Sequence, residues 1–167
     1  MKKLISVLLI TILSVFVFVG CGSSTQTNQD STQPSTTKTE GKDTYANTFD
    51  DVVAYMSAKG HIDTKEPTEM KADIVGAVKG FAYSSNGTTV EIYEFDTEKL
   101  SDSAKALIDQ ADANGYFTLY DDKLQLEGHL TSDNKFLFCY VATSDSDKNV
   151  KLEDAGKYFE QFYPEAE

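Results

Sequence analysis

The chain has no arginine and no tryptophan, and all 15 of its basic residues are lysine. Arginine is the side chain that best binds phosphate and carboxylate groups through two parallel hydrogen bonds. Its absence, together with 27 acidic residues and a net charge of −12, argues against a nucleic-acid-binding protein, which needs a basic surface to meet phosphates.

Cysteine is also scarce. The two cysteines, Cys21 and Cys139, cannot build a disulfide-rich scaffold in a chain of 167 residues. A hydrophobic content of 40% is nevertheless enough for a folded core. The length suits one domain.

A long hydrophobic run occurs once, over residues 4–19, directly after Lys2 and Lys3. A helix of this length spans about 24 Å, which is shorter than the hydrocarbon core of a bilayer at about 30 Å. A short basic segment followed by such a run is typical of a secretory signal peptide.

The run ends in Phe18-Val19-Gly20-Cys21. A small residue directly before a cysteine at this point resembles the lipobox of bacterial lipoproteins, although that family usually has leucine where this chain has Phe18. The resemblance implies cleavage between Gly20 and Cys21 and diacylation of the Cys21 sulfur. Two acyl chains would hold the protein stably on the cell membrane, facing the outside. The alternatives are an ordinary signal peptide cut elsewhere and an uncleaved anchor.

Composition divides the chain into a signal peptide (1–20), a lipidated N-terminus with a Ser/Thr-rich tether (21–47) and a single domain (48–167). In the tether, Tyr45 is the one large apolar side chain, so we expect this segment to be disordered. The domain carries 11 lysines against 24 acidic residues and is therefore strongly acidic.

Apolar residues at helical spacing predict three helices in the domain. The first begins at Thr48, with Asp51 three positions later as in a capping box. The second follows Ser101 and covers about residues 102–114. The third covers about residues 151–163.

About five strands are predicted. Residues 78–84 and 89–95 flank Asn86-Gly87, which is the strongest short signal for a β-hairpin. The other strands are 116–120, 124–130, whose polar side includes His129, and 136–142, which is apolar almost throughout and therefore central. The polar stretch around Pro67 is interpreted as a loop.

These elements predict an α+β fold, an antiparallel sheet of about five strands with three helices packed on one face. Strand, turn, strand and helix occur in this order twice, over residues 78–114 and 124–163. The domain can therefore be interpreted as two ββα units preceded by a helix. The alternative is that any ββα unit has similar lengths.

The sequence singles out no catalytic site and no cofactor. Cys139 lies in an apolar strand, which predicts a core residue rather than a reactive thiol. His61 and His129 lack the further nitrogen or sulfur ligands that zinc needs. Carboxylates are numerous, but no pair of them stands out.

One weak metal candidate exists. Asp145, Asp147 and Asn149 match the first, third and fifth positions of a calcium-binding EF-hand loop. The match then fails, because Val150 stands where the loop needs glycine and Gly156 stands where it needs glutamate.

Four tyrosines are weak candidates for a binding surface. Tyr83, Tyr93, Tyr120 and Tyr140 lie in predicted strands and could line an exposed sheet face that contacts protein, peptide or sugar. The alternative is that they are amphipathic residues at the rim of the core.

The anchor, the tether and the acidic domain predict a lipid-anchored extracytoplasmic binding module whose partner is an envelope protein or peptide. One alternative is a cell-wall hydrolase that uses a carboxylate pair. Another is an immunity or inhibitor lipoprotein that blocks an incoming toxin or enzyme at the membrane.

Overall fold

Six antiparallel strands form one sheet within residues 44–164, the part of the chain that the computed structural model describes. The strands are β1 (Asp63–Glu69), β2 (Lys79–Ser85), β3 (Thr88–Glu94), β4 (Tyr116–Leu119), β5 (Leu124–Leu130) and β6 (Phe136–Tyr140). The helices are α1 (Phe49–Ala58), α2 (Asp102–Asn114) and α3 (Ser146–Glu160), with a short 3₁₀ helix over Ala72–Val75. The strand order is β1-β2-β3-β6-β5-β4. The predicted α+β class is confirmed.

The first two helices begin at the residues that the sequence predicts. The Thr48 hydroxyl accepts the amide N–H of Asp51 at 3.2 Å and donates to the Asp51 carboxylate at 2.7 Å. The first of these bonds caps the helix, but the Thr48 amide N–H donates to the Ala46 carbonyl and not to Asp51, so the reciprocal half of a capping box is not formed. The Ser101 hydroxyl accepts the amide N–H of Ala104 at 3.1 Å. Gly115, with a φ of 75°, ends α2 in the left-handed conformation that glycine adopts at low cost.

Helix α3 begins five residues earlier than predicted. The carboxylate of Asp145 accepts the amide N–H groups of Asp147 and Lys148 and so caps a helix that runs from Ser146 to Glu160. The acidic composition of residues 145–149 indicated a loop, but aspartate directly before a helix and within its first turn is also stabilised by the helix dipole.

The predicted hairpin is confirmed. Strands β2 and β3 pair in continuous register from Lys79↔Glu94 to Ser85↔Thr88. Asn86 and Gly87 connect them with φ values of 51° and 73°, as a type I′ turn requires.

Strand β1 was not predicted, since its sequence is polar and contains Pro67. All seven of its residues are exposed, and it pairs with β2 in an irregular register at the edge of the sheet. Proline and charged residues are tolerated there because one side of an edge strand makes no ladder hydrogen bonds.

The prediction that all helices cover one face of the sheet is wrong. Helices α1 and α3 pack on one face, where the core includes Phe136, Phe138 and Tyr140 of β6. Helix α2 packs on the other face against Leu137 and Cys139 of the same strand. We call these the α1/α3 face and the α2 face. Strand β6 is buried on both, which explains its continuous apolar sequence.

The faces that α2 and α3 cover bear on whether the domain consists of two similar ββα units. Strands β3 and β6 meet at the centre of the sheet with Glu91 opposite Cys139, which fits a two-fold relation between two strand units. Helices α2 and α3 nevertheless follow these strands onto opposite faces. A two-fold rotation that exchanges the antiparallel strands β3 and β6 has its axis normal to the sheet, so it does not exchange the two faces. Such a rotation therefore cannot also superpose α2 on α3.

The residues directly before α1 contact the domain, although the sequence places them in the tether. Tyr45 packs edge-on against Tyr55, with ring centroids 5.4 Å apart. The Asn47 side chain donates to Asp133 at 2.8 Å, and Lys135 donates to the Asn47 carbonyl. Within the described residues, none of the helices combines the length and hydrophobicity that a membrane-crossing segment requires.

Candidate functional site

The predicted lipidation and cleavage residues, Gly20 and Cys21, lie outside the described residues. The calcium candidates lie within them, at the start of α3. There the Asp145 carboxylate caps the helix, and the Asn149 side chain accepts from the Thr143 amide at 2.8 Å and donates to its carbonyl at 2.7 Å. The side-chain oxygens of Asp145 and Asn149 therefore accept hydrogen bonds from backbone amides. Among residues 44–164, no group of three or more His, Cys, Asp or Glu side chains is arranged to hold a metal ion.

Three of the four tyrosine candidates are buried, which corrects the expectation of an exposed sheet face for them. Tyr83 and Tyr140 lie on the α1/α3 face beneath the helices, and Tyr93 lies on the α2 face. The Tyr93 ring covers Gly80 so closely that a Cβ atom there would overlap it. Tyr120 alone among the four is exposed, at 58%.

The buried tyrosines use their hydroxyl groups locally. Burial, reinforced by the charge of Asp50, raises the pKa of Tyr83 to about 12. The Tyr93 hydroxyl donates to Glu91 at 2.7 Å, and burial together with this bond raises its pKa further. Both hydroxyl groups remain protonated, and that of Tyr93 holds the Glu91 carboxylate in place.

The predicted core role of Cys139 is confirmed, because its side chain is fully buried on the α2 face. Burial, followed by the nearby charge of Glu91, raises the pKa of the thiol well above its ordinary value. His61 packs against Tyr158 with ring centroids 4.7 Å apart. Burial lowers the pKa of His61, against the opposing charge of Asp154.

His129 is the residue whose environment the sequence did not predict. It lies on the polar side of β5, as expected, but α3 covers that side and leaves the residue only 6% exposed. Its Nδ1 atom lies 2.7 Å from Oε1 of Glu160. Its Nε2 atom is enclosed without a hydrogen-bond partner and lies 3.7 Å from Oε2 of Glu153. The imidazole is thus held between two glutamates of α3.

Gly156 allows this close approach of strand and helix. It stands in the middle of α3, and a Cβ atom built there would overlap the imidazole atoms of His129. Glycine in a helix interior costs about 1 kcal/mol relative to alanine. Glycine is nevertheless required at this position because no larger residue fits between the helix and the His129 ring.

Tyr140 and Lys157 complete the surroundings of Glu153. The ring of Tyr140 is nearly parallel to that of His129, at 6.0 Å, and its hydroxyl donates to Glu153 at 3.3 Å. Lys157 forms an ion pair with the same carboxylate at 3.2 Å. Burial tends to raise the pKa of Glu153, but these donors and the nearby imidazole outweigh burial and hold its pKa below the ordinary value.

A groove of about 640 Å³ runs along β5 between the end of α2 and α3. Four carboxylates line it, contributed by Asp112 of α2, Glu127 of β5, and Glu153 and Glu160 of α3, and His129 lies among them. None of the lysines in residues 44–164 lines it. We call this feature the acidic groove.

The sequence does contain a signal for this site. Glu153, Gly156 and Glu160 follow one another at spacings of three and four residues, which places them on one side of a helix. A helical glycine between two glutamates on a buried side indicates a close approach to a neighbouring element. The pattern does not indicate which residue approaches, since that depends on how α3 crosses β5.

No protein-family model matches the chain, and no curated protein or solved structure is significantly similar to it.

Proposed function

We propose that this protein is a lipid-anchored binding module on the outer side of the cell membrane, and that its partner is an envelope protein or peptide. The lipobox-like sequence ending at Cys21 supports the location. The Ser/Thr-rich segment that follows supports a domain held away from the bilayer on a spacer. The acidic groove is the surface that we propose for the partner.

The groove carries this proposal. Its volume of about 640 Å³ lies in the range of natural ligand sites, about 300–1,000 Å³. Three separate elements supply its carboxylates, so the arrangement exists only in the folded domain. Ligands bind in concave surfaces, and convergent polar groups there fix the orientation and specificity of binding.

The contacts around His129 support a preformed surface. The bond to Glu160 and the packing under Gly156 fix the imidazole, and Tyr140 and Lys157 fix Glu153. A surface whose side chains are already ordered loses less conformational entropy when a partner binds. The same contacts occupy both glutamates, which suits a binding role better than proton transfer.

The net negative charge of the domain supports binding to a positively charged partner. Eleven lysines against 24 acidic residues over 48–167 produce a negative field that speeds encounter with a positively charged partner.

The proposal is tested by crosslinking the full-length protein in intact cells. The double variant Asp112→Asn/Glu127→Gln removes two groove charges. The matched control, Asp109→Asn/Glu98→Gln, removes two exposed charges outside the groove lining. We expect a specific crosslinked partner with the wild type and the control, and its loss with the groove variant.

Two results would contradict the proposal. One is a set of crosslinked products that is the same for the groove variant and the wild type. The other is release of sugar from purified cell wall by the wild type, which would favour the hydrolase instead.

A further inference from the structure

We infer that Asn86, in the turn between β2 and β3, is a site of spontaneous covalent modification. Its side-chain amide is lost as ammonia, and the residue becomes aspartate or isoaspartate. The inference is independent of the proposed binding function, because the turn lies outside the acidic groove.

The chain contains two Asn-Gly pairs, Asn86-Gly87 and Asn114-Gly115. In such a pair the backbone nitrogen of the glycine can attack the asparagine side chain, since glycine has no Cβ atom in the way. Both pairs are exposed, and a Cβ atom built on either glycine would meet nothing within 4 Å. Sequence and exposure therefore do not distinguish the two pairs, but their hydrogen bonds do.

The reaction needs only water and the groups of the turn. The backbone nitrogen of Gly87 gives up its proton to a base in the solvent and attacks Cγ of Asn86. A bond forms between this nitrogen and Cγ, the bond from Cγ to Nδ2 breaks, and the leaving nitrogen takes up a proton and departs as ammonia. Water then opens the resulting cyclic imide at one carbonyl or the other, which gives aspartate or isoaspartate. Either product adds a negative charge to the end of the hairpin.

The attacking nitrogen is free at the first pair. Within residues 44–164, the Gly87 amide N–H has no hydrogen-bond partner, and the Asn86 side chain contacts the Ser85 hydroxyl only at a long 3.4 Å. Ring closure also requires rotation about the Cα–C bond of Asn86, so the turn must open. It lies at the tip of the hairpin, where the pairing of β2 with β3 ends at Ser85↔Thr88. Loop tips of this kind open at a low cost in free energy.

The second pair is held by the fold on both sides of its glycine. The Gly115 amide N–H donates to the Ala111 carbonyl at 2.9 Å, as the cap that ends α2. The Gly115 carbonyl in turn accepts the amide N–H of Gly128 at 2.9 Å, which ties this residue to β5. Attack on Asn114 therefore requires both backbone hydrogen bonds to break, whereas attack on Asn86 requires neither.

The test is ageing of the full-length protein at mildly alkaline pH, followed by digestion and mass spectrometry. Cleavage after lysine places Asn86 in the peptide 80–99 and Asn114 in the peptide 106–123, and neither peptide contains another asparagine. Each rate is divided by the rate of the same pair in urea, which removes the effect of neighbouring residues. We expect the native fold to slow Asn114 about tenfold or more relative to Asn86, as two further backbone hydrogen bonds would.

The variant Asn86→Asp is the control for charge, since aspartate also tolerates a positive φ. The native wild type should accumulate a more acidic isoform on isoelectric focusing, and Asn86→Asp should gain none over the same period. Two results would overturn the inference. One is conversion of Asn114 as fast as that of Asn86 in the native protein. The other is an unchanged Asn86 in the native protein after the chain in urea has been converted at both pairs.

Discussion

The Nδ1 atom of His129 lies 2.7 Å from Oε1 of Glu160, which joins strand β5 to helix α3 across 31 positions of sequence. The histidine is almost fully buried, whereas the glutamate side chain is 49% exposed. The bond therefore holds the last turn of α3 on the sheet at the rim of the acidic groove.

Replacing Glu160 with glutamine tests the strength of this contact. The amide keeps the shape of the side chain but loses the charge that His129 faces, so we expect the free energy of unfolding to fall by about 1 kcal/mol, a modest value because the glutamate is half exposed. Urea denaturation of the full chain measures it, with Glu98→Gln as a control at an exposed site. An unchanged midpoint would show that the contact does not stabilise the fold.

Replacing Gly156 with alanine should destabilise the domain, although alanine is the better helix former. The added Cβ would overlap the His129 ring, and overpacking of this kind costs about 1–3 kcal/mol. Thermal unfolding followed by circular dichroism measures the loss. His129→Ala has its own cost, so the overlap is measured by a double-mutant cycle. Gly156→Ala should cost less stability in the His129→Ala background than in the wild type, and an equal cost in both backgrounds would contradict this explanation.

Acid should weaken the contact between Asn47 and the domain. The Asp133 carboxylate accepts from Thr131 at 2.7 Å, from Asn47 at 2.8 Å and from the Lys135 amide at 3.1 Å. Burial tends to raise the pKa of Asp133, but these bonds outweigh it and lower the pKa.

A carboxyl group whose pKa is depressed by folding stabilises the protein above its unfolded value, about 3.9 for aspartate, and this contribution is lost as the pH falls through the folded value. We therefore expect stability to fall below about pH 4. Asp133→Asn should be less stable at pH 7 and should depend less on pH in the acid range. Parallel pH curves for the two proteins would argue against this role.

The two cysteines should differ in chemistry. Labelled palmitate should be incorporated in cells, and Cys21→Ala should abolish the label. Labelling that persists in this variant would contradict the lipoprotein interpretation.

In the Cys21→Ala protein, Cys139 is the remaining thiol. Because it is fully buried and its pKa is raised, we expect it to resist a thiol reagent in the native state and to react stoichiometrically in denaturant. Rapid reaction of the native protein would show that the strand opens.

Much of the fold could be predicted because its signals are local. The caps at Thr48 and Ser101 and the turn at Asn86-Gly87 act within a few residues, and each gives the element that the sequence indicates. Strand β1 was missed because its pairing with β2 compensates for a polar sequence that has no strand signal of its own. The start of α3 was missed because residues 145–149 suit a loop and a helix N-terminus equally.

The candidate site was less predictable. Tyr83, Tyr93 and Tyr140 have the alternation of a strand, but alternation does not reveal whether a helix covers a given face. His129 illustrates the same limit. Its position on β5 was predicted, and its burial depends on where α3 packs.

The sequence by itself determined the order of the elements other than β1, the caps at Thr48 and Ser101, the Asn86-Gly87 turn, the strongly acidic charge and the lipobox-like start, since each depends on residues close together in the chain. The tertiary structure decided which face each helix covers, that β6 is buried on both sides, that Glu153 and Glu160 contact His129, and that these residues line one groove with Asp112 and Glu127. Those outcomes depend on packing between elements that are distant in sequence, and local periodicity carries no information about such contacts.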